Sequence, residues 1–276
     1  MQALTVFIRG CACLVLGIVG ISVAAAQPPP PDPLARASQL YNSGDYDAAI
    51  TAAREVSTRP GAPNEARLLL GRALLERHRA GRMAEDLIAA RSALVAVDAT
   101  TLSERARLDL MIGLGEALYL DGQYRPAALL LEPVMERMGL LSVAAREQVV
   151  DWWGTAMDRH AQTRPPDQRS GIYDDISARL RLHLARYPDS SAAAYWLPAA
   201  ALARGDLELA WDLAITGWVR STLAADHGVA LRTDLDLLMT QAIIPERVKR
   251  LVDEPDAAAA AARFASEWDE AKGRWK

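Results

Sequence analysis

Two apolar stripes with helical spacing flank a glycine turn in residues 34–56, LARASQLYNSGDYDAAITAAREV, and constrain the fold more than any other feature. Gly44 separates two predicted helices because glycine adopts a left-handed backbone without a Cβ penalty, and Asp45 can cap the second helix. Each stripe repeats every three or four residues and so occupies one helix face. A pair this short cannot bury both faces alone, so it must stack on neighbours. The stripes are Leu34, Ala37, Leu40 and Tyr41, and then Tyr46, Ala49, Ile50 and Ala53.

Further glycines recur at intervals that predict more helix pairs of the same kind. The intervals between Gly44, Gly81, Gly122 and Gly205 are 37, 41 and 83 residues, which fits five pairs with one obscured turn. Around three of these glycines the flanking positions carry the same residue types. The position four residues before is apolar or small, and the position five residues after is always alanine, which lets two helices cross closely: Leu40, Leu118 and Ala201 before, and Ala49, Ala127 and Ala210 after.

These residues resemble the tetratricopeptide repeat (TPR) family. The match is best over residues 34–56, through Leu40-Tyr41 and Gly44-Asp45-Tyr46, and over residues 109–134, through Leu118-Tyr119 and Gly122-Gln123-Tyr124. The resemblance implies an all-α fold. It would be a right-handed α-solenoid of about five TPR-like helix hairpins over residues 34–225, closed by capping helices over residues 226–276.

Several positions depart from the repeat, and the pattern there predicts local differences. The second unit has a longer first helix or turn, and the fourth unit is expected to contain helices over residues 143–160 and 172–187 around a loop at 162–171. Pro198 falls inside a helix, where it removes a hydrogen bond. Thr101 and Glu104 have the spacing of a capping box.

The pattern changes after Thr222, where we expect the cap. A helix over residues 234–244 should stop at Pro245, and Asp253 should cap a last helix with Pro255 in its first turn. One face of that helix is predicted to cover the end of the solenoid: Ala261, Phe264, Ala265, Trp268 and Trp275.

Residues 1–26 have the features of a signal peptide, namely Arg9, an apolar run over residues 11–23 and an A-x-A site at 24–26. Residues 27–33, QPPPPDP, predict an extended proline-rich linker, with a proline-motif ligand as the other interpretation. We therefore expect a periplasmic or secreted protein. The alternative is an uncleaved N-terminal anchor in the inner membrane, which is the one case in which a membrane would be a partner.

Composition and motifs favour a protein without catalytic activity. Removing residues 1–26 takes away both cysteines and Arg9, which changes the formal net charge from −4 to −5, so a nucleic-acid partner is not expected. The sequence contains no nucleophile elbow, phosphate loop or dinucleotide motif, so we expect no cofactor. No metal-ligand spacing surrounds any of the histidines, so we expect no metal: His78, His160, His183 and His227.

The resemblance implies that the first helices of successive units line a groove for an extended partner segment. Consecutive Trp152 and Trp153 project about 100° apart on a helix, which predicts that one of them faces this groove. We expect an adaptor or scaffold that binds a protein or peptide segment of the cell envelope. The alternative is a binder of a glycan or peptidoglycan fragment in an aromatic pocket of the C-terminal half. The predicted groove residues are Tyr41, Asn42, Arg72, Glu76, Glu116, Tyr119, Asp151, Thr155 and Tyr195.

Overall fold

A computed structural model describes residues 32–81, 83–251 and 256–275, and within these ranges the chain is all-helical, with no strand. None of the described helices is both long and apolar enough to cross a membrane. The first helices are α1 (Pro33–Asn42), α2 (Tyr46–Ser57), α3 (Asn64–Gly81), α4 (Ala84–Val95), α5 (Glu104–Leu120) and α6 (Tyr124–Glu136). They are followed by α7 (Val143–Gln162), α8 (Pro166–Arg186), α9 (Ser191–Ala203), α10 (Leu207–Arg220), α11 (Val229–Leu238), α12 (Ile244–Lys249) and α13 (Ala257–Gly273).

Three of the four glycines form the same helix-ending turn. Gly44, Gly122 and Gly205 have φ values of 80°, 77° and 80°. In each turn the glycine N–H donates to the carbonyl three residues before it, and the next N–H donates to the carbonyl five residues before it, as in a Schellman motif. Gly81 also ends a helix, α3, but it does not have a positive φ, so this turn differs from the others.

Small residues set the close approach of paired helices. Ala49, Ala127 and Ala210 are fully buried. A Cβ at Gly115 would lie 2.8 Å from Leu131 Cδ2, so α5 and α6 could not pack as closely with alanine there. The equivalent approach between α3 and α4 is made at Gly71 against Leu94.

Helices pack in a regular order. Each of the helices α1 to α10 packs on the next one along the chain, and the odd-numbered helices α1, α3, α5, α7, α9 and α11 also pack in succession on one another. Buried side chains accordingly form three core clusters in sequence order, which lie mainly in α2–α5, in α5–α9 and in α9–α13. The odd-numbered helices therefore form one continuous layer, called here the odd-helix face.

The fourth helix pair differs from the prediction. No long loop occupies residues 162–171, because α8 already begins at Pro166 after a connection of residues 163–165. Proline is tolerated there since the first turn of a helix has no internal partner for its N–H group. Pro198 lies within α9, and the helix continues through it. Because proline has no N–H group, the carbonyl of Ala194 loses its usual helical partner, and this carbonyl lies against Gly217 of α10.

The predicted cap of α5 was placed on the wrong residue, and the described cap of α13 is a residue that was not predicted. Ser103, and not Thr101, caps α5 by accepting the N–H of Ala106 at 3.2 Å, because Thr101 is held in a 3-10 turn. Asp256 caps α13 by accepting the N–H groups of Ala258 and Ala259, both at 3.0 Å. Asp253 and Pro255, which the sequence favoured for this role, lie outside the described residues, as do residues 1–31 with the predicted signal peptide and most of the linker.

The C-terminal helices also differ in extent. α11 begins at Val229 instead of residue 234, and the helical chain does not stop at Pro245, which lies in the first turn of α12. A π-helical turn at Met239–Ile243, in which the N–H of Ile244 bonds to the carbonyl of Met239, realigns the backbone just before the proline. On α13, Phe264 and Trp268 are buried as predicted, but Trp275 follows the helix and is 54% exposed.

Candidate functional site

All nine predicted groove residues lie on odd-numbered helices from α1 to α9. The structure places six of them in two groups, and Tyr119 and Thr155 lie between these groups. The first group is at α1, α3 and α5, and the second is at α7 and α9. Asn42 is exposed at the end of α1 and joins neither group.

The first group is a set of alternating charges beside an aromatic ring. The Arg72 guanidinium carbon lies 5.0 Å from the centre of the Tyr41 ring, in cation–π geometry. Arg79, which the sequence analysis missed, binds Glu76 at 3.0 Å and lies 3.8 Å from Glu116. We call Arg72, Glu76, Arg79 and Glu116 the charge cluster. Its two arginines and two glutamates offer both donors and acceptors, so its recognition capacity lies in directed hydrogen bonds.

Glu116 is the unusual member of the charge cluster. Glu116 is 5% exposed, and its Oε1 has no hydrogen-bond partner among the described residues. The pKa of Glu116 is raised to about 8, mainly by burial and in part by the charge of Glu76, although Arg79 and Arg72 oppose the shift. Burial likewise raises the pKa of Tyr41 to about 12, so its hydroxyl stays protonated.

Tyr119 and Thr155 lie between the two groups and have local contacts. The Tyr119 ring is 5.8 Å from the ring of Tyr124, and burial raises the pKa of the Tyr119 hydroxyl. The Thr155 hydroxyl donates to the backbone carbonyl of Asp151 at 2.8 Å. These contacts stay within one helix or one helix pair and build no site by themselves.

The second group lines a cavity of about 850 Å³ formed by α7, by α9 and by residues 225–234. Asp151 and Tyr195, both predicted, are in its wall, together with Trp196. Among the described residues of this wall there is no lysine, arginine or histidine. We call it the acidic cavity, after its five carboxylates: Glu147, Asp151, Asp189, Asp226 and Asp234.

Two of these carboxylates hold the helices that form the acidic cavity. Glu147 accepts the N–H of Ala192 at 2.8 Å and so satisfies a donor at the start of α9. Asp226 accepts the N–H groups of Gly228 and Ala230, both at 2.9 Å, at the start of α11. Burial raises the pKa of Glu147, whereas these backbone hydrogen bonds lower the pKa of Asp226.

The other three carboxylates are available to a ligand. Asp151 is exposed and accepts one hydrogen bond, from the indole nitrogen of Trp196 at 3.0 Å. Asp189 and Asp234 form no ion pair with any residue that the structure describes. Burial raises the pKa of Asp234, and the charge of Asp151 adds to this shift.

Most residues of the acidic cavity were not among the predicted groove residues. Glu147 lies one helical turn before Asp151 on α7, so the i, i+4 spacing was a usable signal. Asp226 and Asp234 had been assigned to the cap, and no local pattern brings them to α7. Trp152 and Trp153 are both buried, and the guanidinium carbon of Arg79 lies 5.4 Å from the centre of the Trp152 ring, so Trp152 contacts a residue of the charge cluster.

The described part of the site shows no recognisable catalytic arrangement. Within the same ranges, no group of three or more potential metal-ligand side chains comes together. No protein-family model matches this chain, and no curated protein matches it. The acidic cavity and the charge cluster are therefore interpreted from their own chemistry.

Proposed function

We propose that the protein is a non-catalytic adaptor of the cell envelope that binds an extended protein segment along the odd-helix face. In this proposal the fold is a TPR-like right-handed solenoid. Its five hairpins are α1/α2, α3/α4, α5/α6, α7/α8 and α9/α10, and α11–α13 close its end. The succession of contacts among odd-numbered helices and the three repeated glycine turns support this arrangement.

The acidic cavity is the observation that carries the proposal. An extended segment with a lysine or arginine side chain would place that cation among Asp151, Asp189 and Asp234, in a wall whose described residues supply no cation. The neighbouring Tyr195 and Trp196 rings, in edge contact at 5.6 Å, would cover the aliphatic part of the same side chain. Charge complementarity of this kind speeds association and selects against acidic partners.

The charge cluster would be a second contact for the same segment. Glu116 Oε1 is buried without a partner among the described residues, and Arg72 lies over the Tyr41 ring. Polar groups of a bound backbone could complete the hydrogen bonding of these side chains, because a buried polar atom without a partner lowers stability. The two contacts would then fix the segment at both ends of the odd-helix face.

A peptide selection tests the charge preference directly. Random peptides of about 12 residues displayed on phage, selected against the full chain, should return sequences enriched in lysine and arginine. Replacing both Asp151→Asn and Asp234→Asn should weaken the binding of a selected peptide by about tenfold or more. The matched control is Asp212→Asn, an exposed aspartate on α10, which should bind as the parent does. Selection of acidic peptides, or unchanged binding by the double variant, would overturn the proposal.

The glycan alternative is supported by one feature, the Tyr195 and Trp196 rings beside carboxylates in the same cavity. Sugars stack on aromatic faces and donate hydroxyl hydrogens to carboxylates. Titration with soluble peptidoglycan fragments separates the two candidates. If a glycan binds in the acidic cavity, the fragments should change the tryptophan fluorescence of the parent but not that of a Trp196→Phe variant.

A further inference from the structure

A second concavity lies on the other side of α7, between α6 and α8. It has a volume of about 580 Å³, which is within the range of small-molecule sites. Trp153 and Met157 of α7 lie at its floor, whereas Asp151 of the acidic cavity projects about 200° away from Trp153 around the helix. We call this concavity the α6–α8 cleft. It is separate from the odd-helix face, so a ligand of the cleft would bind whether or not the adaptor proposal holds.

Two residues that line the α6–α8 cleft carry buried polar atoms without a partner. Trp153 is 1% exposed and His183 is 7% exposed. The indole Nε1 of Trp153 and the Nε2 of His183 form no hydrogen bond with the rest of the described chain. Native proteins pair the great majority of such atoms, so each needs an explanation. A ligand in the cleft would supply one.

The arginines of the α6–α8 cleft are incompletely paired. Arg179 lies 3.5 Å from Glu132 and over the Trp153 ring. Arg125 donates to the thioether sulfur of Met157 at 3.3 Å, which is a weak acceptor. Among the described residues, no carboxylate lies within ion-pair distance of Arg125 or of Arg186.

The position of Arg125 relative to Trp153 follows from the order of the residues on α7. Met157 follows Trp153 by one helical turn on α7, so the two side chains are neighbours along the floor of the cleft. The Arg125 guanidinium, held at Met157, is therefore one helical turn from Trp153 along α7, and the Arg179 guanidinium carbon from α8 lies 5.6 Å from the centre of the Trp153 ring. The rest of the lining is mixed: Met135 and Leu182 are apolar, and Glu136 and Asp175 add two carboxylates to Glu132. An anionic ligand must therefore place its charge at the Arg125 end and its apolar body away from these three acids.

We propose that the α6–α8 cleft binds a small carboxylic acid with an apolar body. One oxygen of the ligand carboxylate accepts the Nε1–H of Trp153, and the same carboxylate forms an ion pair with Arg125. The apolar body lies along Met135 and Leu182. An indole N–H can only donate, so the ligand must present an acceptor, and an anionic acceptor matches the unpaired guanidinium.

Octanoate is a suitable probe because it combines a carboxylate with a flexible apolar chain. Added to the full chain labelled with ¹⁵N in its tryptophan side chains, it should shift the indole resonance of Trp153, which a Trp153→Phe spectrum assigns. Acetate lacks the apolar body and 1-octanol lacks the charge, so both should bind at least about tenfold more weakly. An equal response to 1-octanol, or no shift of the Trp153 resonance with octanoate, would overturn the proposal.

Two pairs of variants separate the site from general effects on stability. Arg125→Gln should weaken octanoate binding by about tenfold or more, whereas Arg107→Gln, at an exposed arginine of α5, should not. Trp153→Phe keeps an aromatic ring but removes the N–H and should also weaken binding. Its control is Trp218→Phe, which removes another buried indole N–H without a described partner, outside the cleft. Equal loss in Arg107→Gln or Trp218→Phe would contradict the assigned contacts.

Discussion

The ring of Trp196 lies directly over Gly154, and a Cβ added to Gly154 would be 2.8 Å from three atoms of the indole. This close approach of α9 to α7 also places the indole nitrogen within hydrogen-bond distance of Asp151. The shape of the acidic cavity therefore depends on a residue without a side chain.

Gly154→Ala should destabilise the protein by about 1–3 kcal/mol, because the added methyl group must displace the indole. It should also alter the acidic cavity, since Trp196 lies in its wall. Gly171→Ala is the matched control: Gly171 lies within α8 and a Cβ there meets nothing within 4 Å. That change should stabilise the helix by about 0.5–1 kcal/mol. Thermal unfolding of both variants tests the contrast, which an equal effect would contradict.

The glycine turns give a second contrast. Gly122 has a φ of 77°, so Gly122→Ala should cost about 1–2 kcal/mol from its left-handed backbone alone, since no atom lies within 4 Å of the added Cβ. Gly81 ends α3 without a positive φ, so Gly81→Ala should be neutral or slightly stabilising. Denaturant unfolding measures both variants, and a loss at Gly81 as large as that at Gly122 would show that the two turns are equivalent.

These local features explain which parts of the fold the sequence could predict. A glycine turn and an apolar stripe are properties of a few adjacent residues, so the pairs around Gly44, Gly122 and Gly205 were located correctly. The start of α8 was misplaced because Pro165 and Pro166 were interpreted as loop, although a proline is tolerated in the first turn of a helix. The passage of the chain through Pro245 depends on a π-helical turn, which no residue pattern indicated.

The candidate site was less predictable than the fold, for a similar reason. Asp151 and Tyr195 lie in α7 and α9, in two segments that the sequence predicted to be helical. The helical pattern could place each residue on its own helix. It could not indicate that Asp226 and Asp234 meet them, since that contact needs the packing of α11 on α9. The burial of both Trp152 and Trp153 likewise depends on helices packing on more than one side of α7, whereas a single amphipathic face would have left one of them exposed.

The alanines at the helix crossings provide a test of pairwise packing. Ala127 of α6 is fully buried, so Ala127→Leu should overpack the crossing and destabilise the protein by about 1–3 kcal/mol. Ala262→Leu, at an exposed position of α13, adds the same side chain and should change stability by less than about 0.5 kcal/mol. Calorimetry on both variants measures the difference. An unchanged melting temperature for Ala127→Leu would contradict the close crossing of α6.

Glu116 predicts a dependence of stability on pH. Its pKa is about 8 in the folded protein, above the ordinary value of 4.5, so the folded state binds this proton more tightly than the unfolded chain does. The stabilisation from the proton is complete below about pH 4.5 and is lost as the pH rises towards about 8. Above that range, the buried carboxylate must carry a charge that only Arg79, 3.8 Å away, and Arg72 partly compensate.

Glu116→Gln should remove this dependence, because glutamine has nearly the same shape and stays neutral. Near pH 4.5 the variant and the parent should unfold at similar temperatures, and near pH 8 the variant should melt higher by about 3 °C or more. Glu136→Gln, at an exposed position of α6, should follow the parent at both values. Scanning calorimetry over this range measures the effect. If the two proteins differ by the same amount at both ends, Glu116 does not bind the proton in the folded state, and the charge cluster carries one more negative charge than we assign to it.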